Sequence, residues 1–154
     1  MALTANQKAT LPPRVAFDFL ASFWDKVSKS APMPEPETVD AFVAQVLSND
    51  HVGAIRDWYH EDAWMQENQA PPRQGGRSKL MEEEAATLAR MDEVVTELVA
   101  PPLIDGDRVA IRWRFTFTPK RGGRFSMEEI AWQTWRGDRI AAETFFYDPK
   151  QRGG

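Results

Sequence analysis

Apolar positions recur at helical spacing through the first third of the chain. After Pro12 and Pro13, the residues Val15, Phe19, Leu20, Phe23, Trp24 and Val27 form one stripe that runs to about Lys29, the pattern of an amphipathic helix. The SAPMPEPE stretch that follows has three prolines and no period, so it reads as a linker. Thr38 and Asp40 are placed to cap a second helix with Phe42, Val43, Val46 and Leu47 on its apolar face, and a shorter helix follows with Val52, Ile55 and Tyr59 inward. DAWMQEN then alternates like a strand and stops at the QAPPRQGG loop, where Pro71 and Pro72 have no N–H to give a ladder. Ser78 is placed to cap one more helix, whose stripe is Leu80, Met81, Ala85, Leu88 and Met91, with Glu82, Glu83 and Arg90 outside it.

From there the period changes to two. EVVTELV, RVAIRWRFTFT, FSMEEIAWQTW and RIAAETFFY read as four successive strands, broken by Pro101–Pro102, a DGD turn and the Arg136-Gly137-Asp138 turn. Helices, one strand, one helix and four strands in succession predict an α+β domain. Its sheet is expected to be antiparallel, with helices on one side. Parity gives the faces. Val109, Ile111, Trp113, Phe115 and Phe117 share one, as do Met127, Glu129, Ala131, Gln133 and Trp135; Glu128, Ile130, Trp132 and Thr134 share the opposite face of their strand. A lone domain leaves Ile130 and Trp132 wet, so a homodimer through this outer face is expected.

Composition narrows the classes. A chain of 154 residues suits one domain with a single core. Hydrophobic residues at 42% and charged ones at 27% are ordinary globular values. A net charge of −4 supplies no overall basic field for phosphate backbones, which argues against a nucleic-acid partner, although a local basic patch is compatible with it. The absence of cysteine removes disulfides, thiolate metal sites and a cysteine nucleophile. Asp18 and Asp25 cut the candidate signal stretch and no run is long enough for a membrane span. A cytoplasmic location without membrane attachment is the expectation.

The candidate chemistry lies in acids flanked by apolar neighbours on their own strand face. Glu67 follows Met65, Glu129 follows Met127, and Glu143 precedes Phe145 and Tyr147. Such carboxylates can converge in one cone-shaped cavity, where desolvation raises their pKa values toward those of general bases. Glu67 in particular is expected to titrate high. Phe42, Trp113, Phe115, Trp135, Phe145 and Tyr147 are the expected apolar lining, with Asn68 and Gln133 orienting a ligand. His51 and His60 have no acid at ligand spacing on the same face, so no metal site is expected. His60 reads as a charge at a helix end or a residue of the cavity mouth, and Arg73 as a solvated loop residue or an anion clamp. Motifs for serine hydrolases, phosphate-binding loops and dinucleotide folds are missing.

The stretch YHEDAWMQENQAPPRQGG is similar to the ketosteroid isomerase pattern, in which an aromatic residue, two acids and an alanine lead through a strand to the general base and a Pro-Arg-x-Gly loop. WRGDRIAAETFFYDP resembles the last hairpin of SnoaL-like domains. The chain therefore resembles the nuclear transport factor 2-like superfamily, and within it the SnoaL-like polyketide cyclases and ketosteroid isomerases. The similarity covers residues 38–149, leaving 1–37 as a helix with a proline-rich linker and 150–154 as a tail.

The resemblance implies a cystatin-like α+β roll, a cone-shaped curved sheet wrapped around helices. It places Glu67 where the base falls and Glu143 nearest the cyclases' acid/base carboxylate. It also puts Phe42 and Ala131 where the isomerases have the tyrosine and aspartic acid that hold the enolate oxygen. Glu129, two residues before Ala131, can supply an acid from a position shifted by about 7 Å. A cofactor-independent cyclase or isomerase acting by proton transfer on a hydrophobic carbonyl compound is one implied function. The others are a binding module for a small hydrophobic molecule and a protein-interaction domain using the outer sheet face.

Overall fold

The computed structural model describes residues 33–152, so the helix expected over 14–29 lies outside the described residues, as do the last two glycines. Helix α1 spans Pro36–Leu47 and buries Val39, Phe42, Val43 and Val46, a stripe at spacings of three and four. Leu47 falls off that stripe and is exposed. Pro36, pre-set for the first turn, starts the helix at the end of the linker, so Thr38 and Asp40 lie inside it rather than capping it. Helix α2, His51–Trp58, is capped by Asp50, which accepts from the Gly53 N–H at 3.1 Å.

Strand β1, Tyr59–Glu67, begins three residues earlier than the alternation suggested. Tyr59 has extended backbone (φ −104, ψ 147) and sits opposite Ile140 in the sheet, so it is a strand residue and not part of the α2 face. After β1 the chain turns through Asn68, whose φ of 49 is in the left-handed region that asparagine tolerates. Helix α3, Gly76–Leu88, starts from Gly75 at φ 114, with no side-chain cap. Ser78 is therefore internal. Gly76 has φ 70, and a Cβ there would meet the Glu61 carbonyl oxygen at 2.2 Å, which explains the double glycine. Only Leu80 of the expected α3 stripe is fully buried and Ala85 is exposed, because part of this helix roofs a cavity.

The sheet comprises β1, β2 (Met91–Leu98), β3 (Leu103–Asp105), β4 (Arg108–Pro119), β5 (Phe125–Arg136) and β6 (Arg139–Phe146). Met91 thus opens a strand instead of closing α3. Their order is β1-β6-β5-β4-β2, with the short β3 also on β4. Four pairings are antiparallel, but β1 runs parallel to β6, so the sheet is mixed and not purely antiparallel as expected. The reason is connectivity. No hairpin joins β1 to β6; α3 carries the chain from β1 to the far edge, and the meander β2 to β6 returns in a direction set by its own turns.

The inner face of β4 and β5 buries Val109, Ile111, Trp113, Met127, Ala131, Gln133 and Trp135, the faces that parity predicts. On the outer face Arg112 and Arg114 both hold the Glu128 carboxylate, while Ile130, Trp132 and Phe146 stay exposed at 44–46%. Among the described residues no helix is long and apolar enough to cross a membrane.

Candidate active site

Between the inner sheet face and the helices lies a cavity of about 440 Å³, in the range of small-molecule sites. Phe42 and Val46 of α1, Ala54 and Ile55 of α2, and Thr87 and Leu88 of α3 form its helical wall. Glu67, Glu129 and Glu143 all lie on the sheet side, one from each of β1, β5 and β6.

Glu143 sits deepest. It is 2% exposed and accepts hydrogen bonds from the Tyr59 hydroxyl and from Gln133 Nε2, the latter at 2.7 Å. Gln133 in turn accepts from Trp135 Nε1 at 3.0 Å, which fixes its amide so that the NH₂ points at Glu143. Burial pushes the Glu143 carboxyl up to about 7, against the pull of both hydrogen bonds. Gln133 and Trp135 are therefore supports under Glu143. They do not line the cavity, which corrects the expectation that both touch a ligand. Parity places them on the inner face, but that end of the cone is filled by Trp135, Phe42 and Tyr59, whose rings meet edge-on.

Glu129 is the opposite case. It lines the cavity without a hydrogen-bond partner among the described residues; burial first and then the charge of Glu143 raise it to about 8. At neutral pH it is a protonated carboxylic acid facing the cavity.

Glu67 behaves contrary to expectation. Burial raises its pKa, but the Tyr147 hydroxyl at 2.5 Å, the Arg152 guanidinium at 3.1 Å and the charge of Arg73 outweigh that and leave it below the usual carboxylate value. Tyr147 and Arg152 both hold Oε2, whereas Oε1 has only the Arg73 guanidinium at 3.6 Å. Burial and the bond to Glu67 lift Tyr147 to about 12, so its hydroxyl remains a donor.

Asn68 is absent from the cavity wall. Its Oδ1 accepts from the Tyr147 N–H at 3.0 Å, so it holds the chain end of the site instead of orienting a ligand. Phe42, Trp113, Phe115, Phe145 and Tyr147 do line the cavity. Ala131, fully buried, does not; the acid on this wall is Glu129. His60 contacts the Arg136 carbonyl at 2.8 Å, away from the cavity.

Sequence reasoning missed three groups. Tyr59 was hidden by helical spacing. Glu84 lines the cavity four residues after Leu80, the i, i+4 relation that places both on one face of α3; burial raises its pKa. Arg152 was assigned to a tail but lies in a short 3₁₀ turn, Pro149–Arg152, with its guanidinium 4.4 Å over the Tyr147 ring. His51 also reaches the wall, and burial lowers its pKa. Among the described residues no three His, Asp or Glu side chains are grouped to hold a metal ion.

The raised acids have a consequence for stability. Between about pH 4.5 and 8 the folded chain keeps protons on Glu143 and Glu129 that the unfolded chain releases, so stability falls as pH rises through that window and levels off above it. A loss of roughly 2–3 kcal/mol between pH 5 and 8.5 is expected in urea unfolding, after discounting for cavity water. Flat stability over this range contradicts it, and Glu143→Gln with Glu129→Gln should flatten the slope.

The family model of the SnoaL-like domain matches residues 39–143. Among solved structures, a candidate SnoaL-like polyketide cyclase from Mesorhizobium loti superposes with a TM-score of 0.62 at 24% identity, over 72% of this chain and 97% of its own. A protein of ketosteroid isomerase-like fold from Catenulispora acidiphila gives 0.63 at 19% identity, over 75% and 88%. A cystatin-fold protein from Novosphingobium aromaticivorans gives 0.62 at 21%, over 73% and 97%. Among curated proteins none matches. The family match runs from α1 through β1 and β5, which carry Glu67 and Glu129, and ends at Glu143 within β6, and the neighbours share the curved sheet folded over its helices; this chain belongs to the SnoaL-like domain family.

Proposed function

We propose that the cavity is a cofactor-independent acid-base site that moves a proton on a hydrophobic carbonyl compound. The observation that carries this reading is a division of labour between two carboxyl groups on one wall. Glu67 is held ionised by the Tyr147 hydroxyl and the Arg152 and Arg73 guanidinium groups, whereas Glu129, on the same wall with no hydrogen-bond partner among the described residues, is pushed by burial toward its protonated form. Opposite protonation states at one pH are what an acid-base pair requires.

Glu67 Oε1 is the atom free to accept a proton. It takes the hydrogen α to the carbonyl, the C–H electron pair moves toward the carbonyl oxygen, and the Glu129 O–H donates to that oxygen as charge builds on it. In an isomerisation the protonated Glu67 returns its proton to another carbon of the conjugated enol while the enol O–H proton goes back to Glu129; in a cyclisation the enol carbon attacks a second carbonyl, whose oxygen takes the proton from Glu67 as Glu129 recovers its own. Glu129 fills the role that Phe42 and Ala131 leave vacant.

Deuterium incorporation into phenylacetone, followed by NMR in D₂O, tests the reading without the natural substrate. Exchange above the buffer rate in the presence of the protein is expected. Binding of aryl ketones without any exchange instead supports the second reading, a module that holds a hydrophobic molecule, for which the aromatic lining is the favouring observation.

The outer sheet face supports a further part of the proposal, a homodimer. Ile130 lies opposite Phe146, and Trp132 lies between Ala110 and Thr144, so the exposed apolar residues form one patch. Burying each large side chain contributes about 1.5–3 kcal/mol. Sedimentation at micromolar concentration should show a dimer that Trp132→Lys dissociates; a wild-type monomer excludes it.

A further inference from the structure

The cavity has a second end with a different chemistry. Trp113, Phe115 and Phe117 follow one another on the inner face of β4, with ring centroids 6.2 and 5.9 Å apart, and Phe117 stacks at 5.1 Å on Phe125 across the sheet. This ladder starts at Trp113, the partner of Glu129, and runs four residues, about 13 Å, to the last rungs of the hairpin. Beyond it, Arg90 and Met91 belong both to the cavity wall and to an adjoining surface depression completed by Ala89, Pro119, Lys120 and Arg121. The two turns are tied together, since the Lys120 N–H donates to the Arg90 carbonyl at 2.9 Å and Met91 pairs with Pro119.

Among the described residues the cations there are not paired with acids. The Arg90 guanidinium bonds Thr87 Oγ1 at 3.3 Å. Among the described residues none of Arg90, Lys120, Arg121 and Arg124 forms an ion pair, whereas Arg73 and Arg152 at the opposite end are both paired with Glu67. The acids next along the chain, Asp92 and Glu93, are exposed at the start of β2. In a chain of net charge −4 this rim is a local positive field at the mouth of an aromatic channel.

We propose that the ligand is an amphipathic anion, whose carboxylate or phosphate head sits against Arg90, Lys120 and Arg121 while its apolar body runs along the Trp113–Phe125 ladder. This rests on the reading of the cavity as a ligand site and deepens it. The reactive carbonyl then lies at the Glu129 end, more than about 13 Å from the anionic head, which sits beyond the ladder. A compact neutral ketone fills the catalytic end and leaves the cations unused.

Decanoate, decyl phosphate and decanol are the probes, titrated against tryptophan fluorescence, with Trp113 on the cavity wall as reporter. At least one anion should bind about five- to tenfold more tightly than decanol at low salt, and the preference should shrink as salt is raised. The larger ratio identifies carboxylate or phosphate as the head group. In Arg90→Gln/Lys120→Gln/Arg121→Gln the preference should fall to within about twofold. The double variant Lys120→Gln/Arg121→Gln, confined to exposed side chains, should lose an intermediate share and serves if the triple does not fold. Equal binding of anions and decanol overturns the inference and leaves the cavity reading standing. A preference retained in the variants places the head at Arg73 and Arg152 and also overturns it. If none of the three probes binds, both readings fall together.

Discussion

Glu67→Gln is expected to slow α-proton exchange on phenylacetone by about a hundred- to ten-thousandfold, the usual contribution of a positioned general base. The amide keeps the size of the side chain, and its oxygen can still accept from Tyr147 and Arg152, so the fold and the wall survive. What is lost is the lone pair at Oε1, the Glu67 oxygen that accepts no hydrogen bond among the described residues. Because the carboxylate is held below its ordinary pKa by Tyr147 and two arginines, it is a weak base, and the proposed reaction would depend on stabilising the enolate rather than on strong proton abstraction. If Glu67→Gln exchanges at the wild-type rate, the base is another group and the account fails at its first step.

The second large effect belongs to Glu129 and appears as a pH profile. In the proposed step its protonated form donates to the carbonyl oxygen, so the rate should fall as pH rises through about 8. The acid limb should lie below the ordinary glutamate range, where Glu67 takes up its proton. A plateau between about pH 5 and 8 is therefore expected. Glu129→Leu should remove the alkaline limb and cost about a hundred- to a thousandfold, the scale for a lost oxyanion donor. Exchange that rises through pH 8 in the wild type would reverse the assignment and make Glu129 a base.

Much of this arrangement is written locally. Period two in DAWMQEN, FSMEEIAWQTW and RIAAETFFY is enough to put Glu67, Glu129 and Glu143 on inner faces, and the exposed pair Ile130 and Trp132 on the outer one. Parity does not report depth along a strand. Gln133 and Trp135 share a face with Glu129, yet they lie under the filled end of the cone, and only the helices packed there decide that.

The protonation of Glu67 was not legible for a related reason. The groups that hold it ionised, Tyr147 and Arg152, are 80 and 85 residues away in sequence and arrive through the parallel pairing of β1 with β6 and the turn after it. Local surroundings, Trp64 and Met65, suggest desolvation alone. Tyr59 was misplaced because Val52, Ile55 and Tyr59 also satisfy helical spacing, and the break at Trp58 is marked by neither glycine nor proline.

The measurement that bears most directly on the site is the titration of its glutamates by carbon-detected NMR on protein labelled at the side-chain carboxyl. One resonance is expected to titrate near pH 8 and to disappear in Glu129→Gln, and another to titrate below the ordinary range and to disappear in Glu67→Gln. If the Glu129 carboxyl titrates near 4.5, no protonated donor faces the cavity at neutral pH and the proposed acid-base pair does not exist.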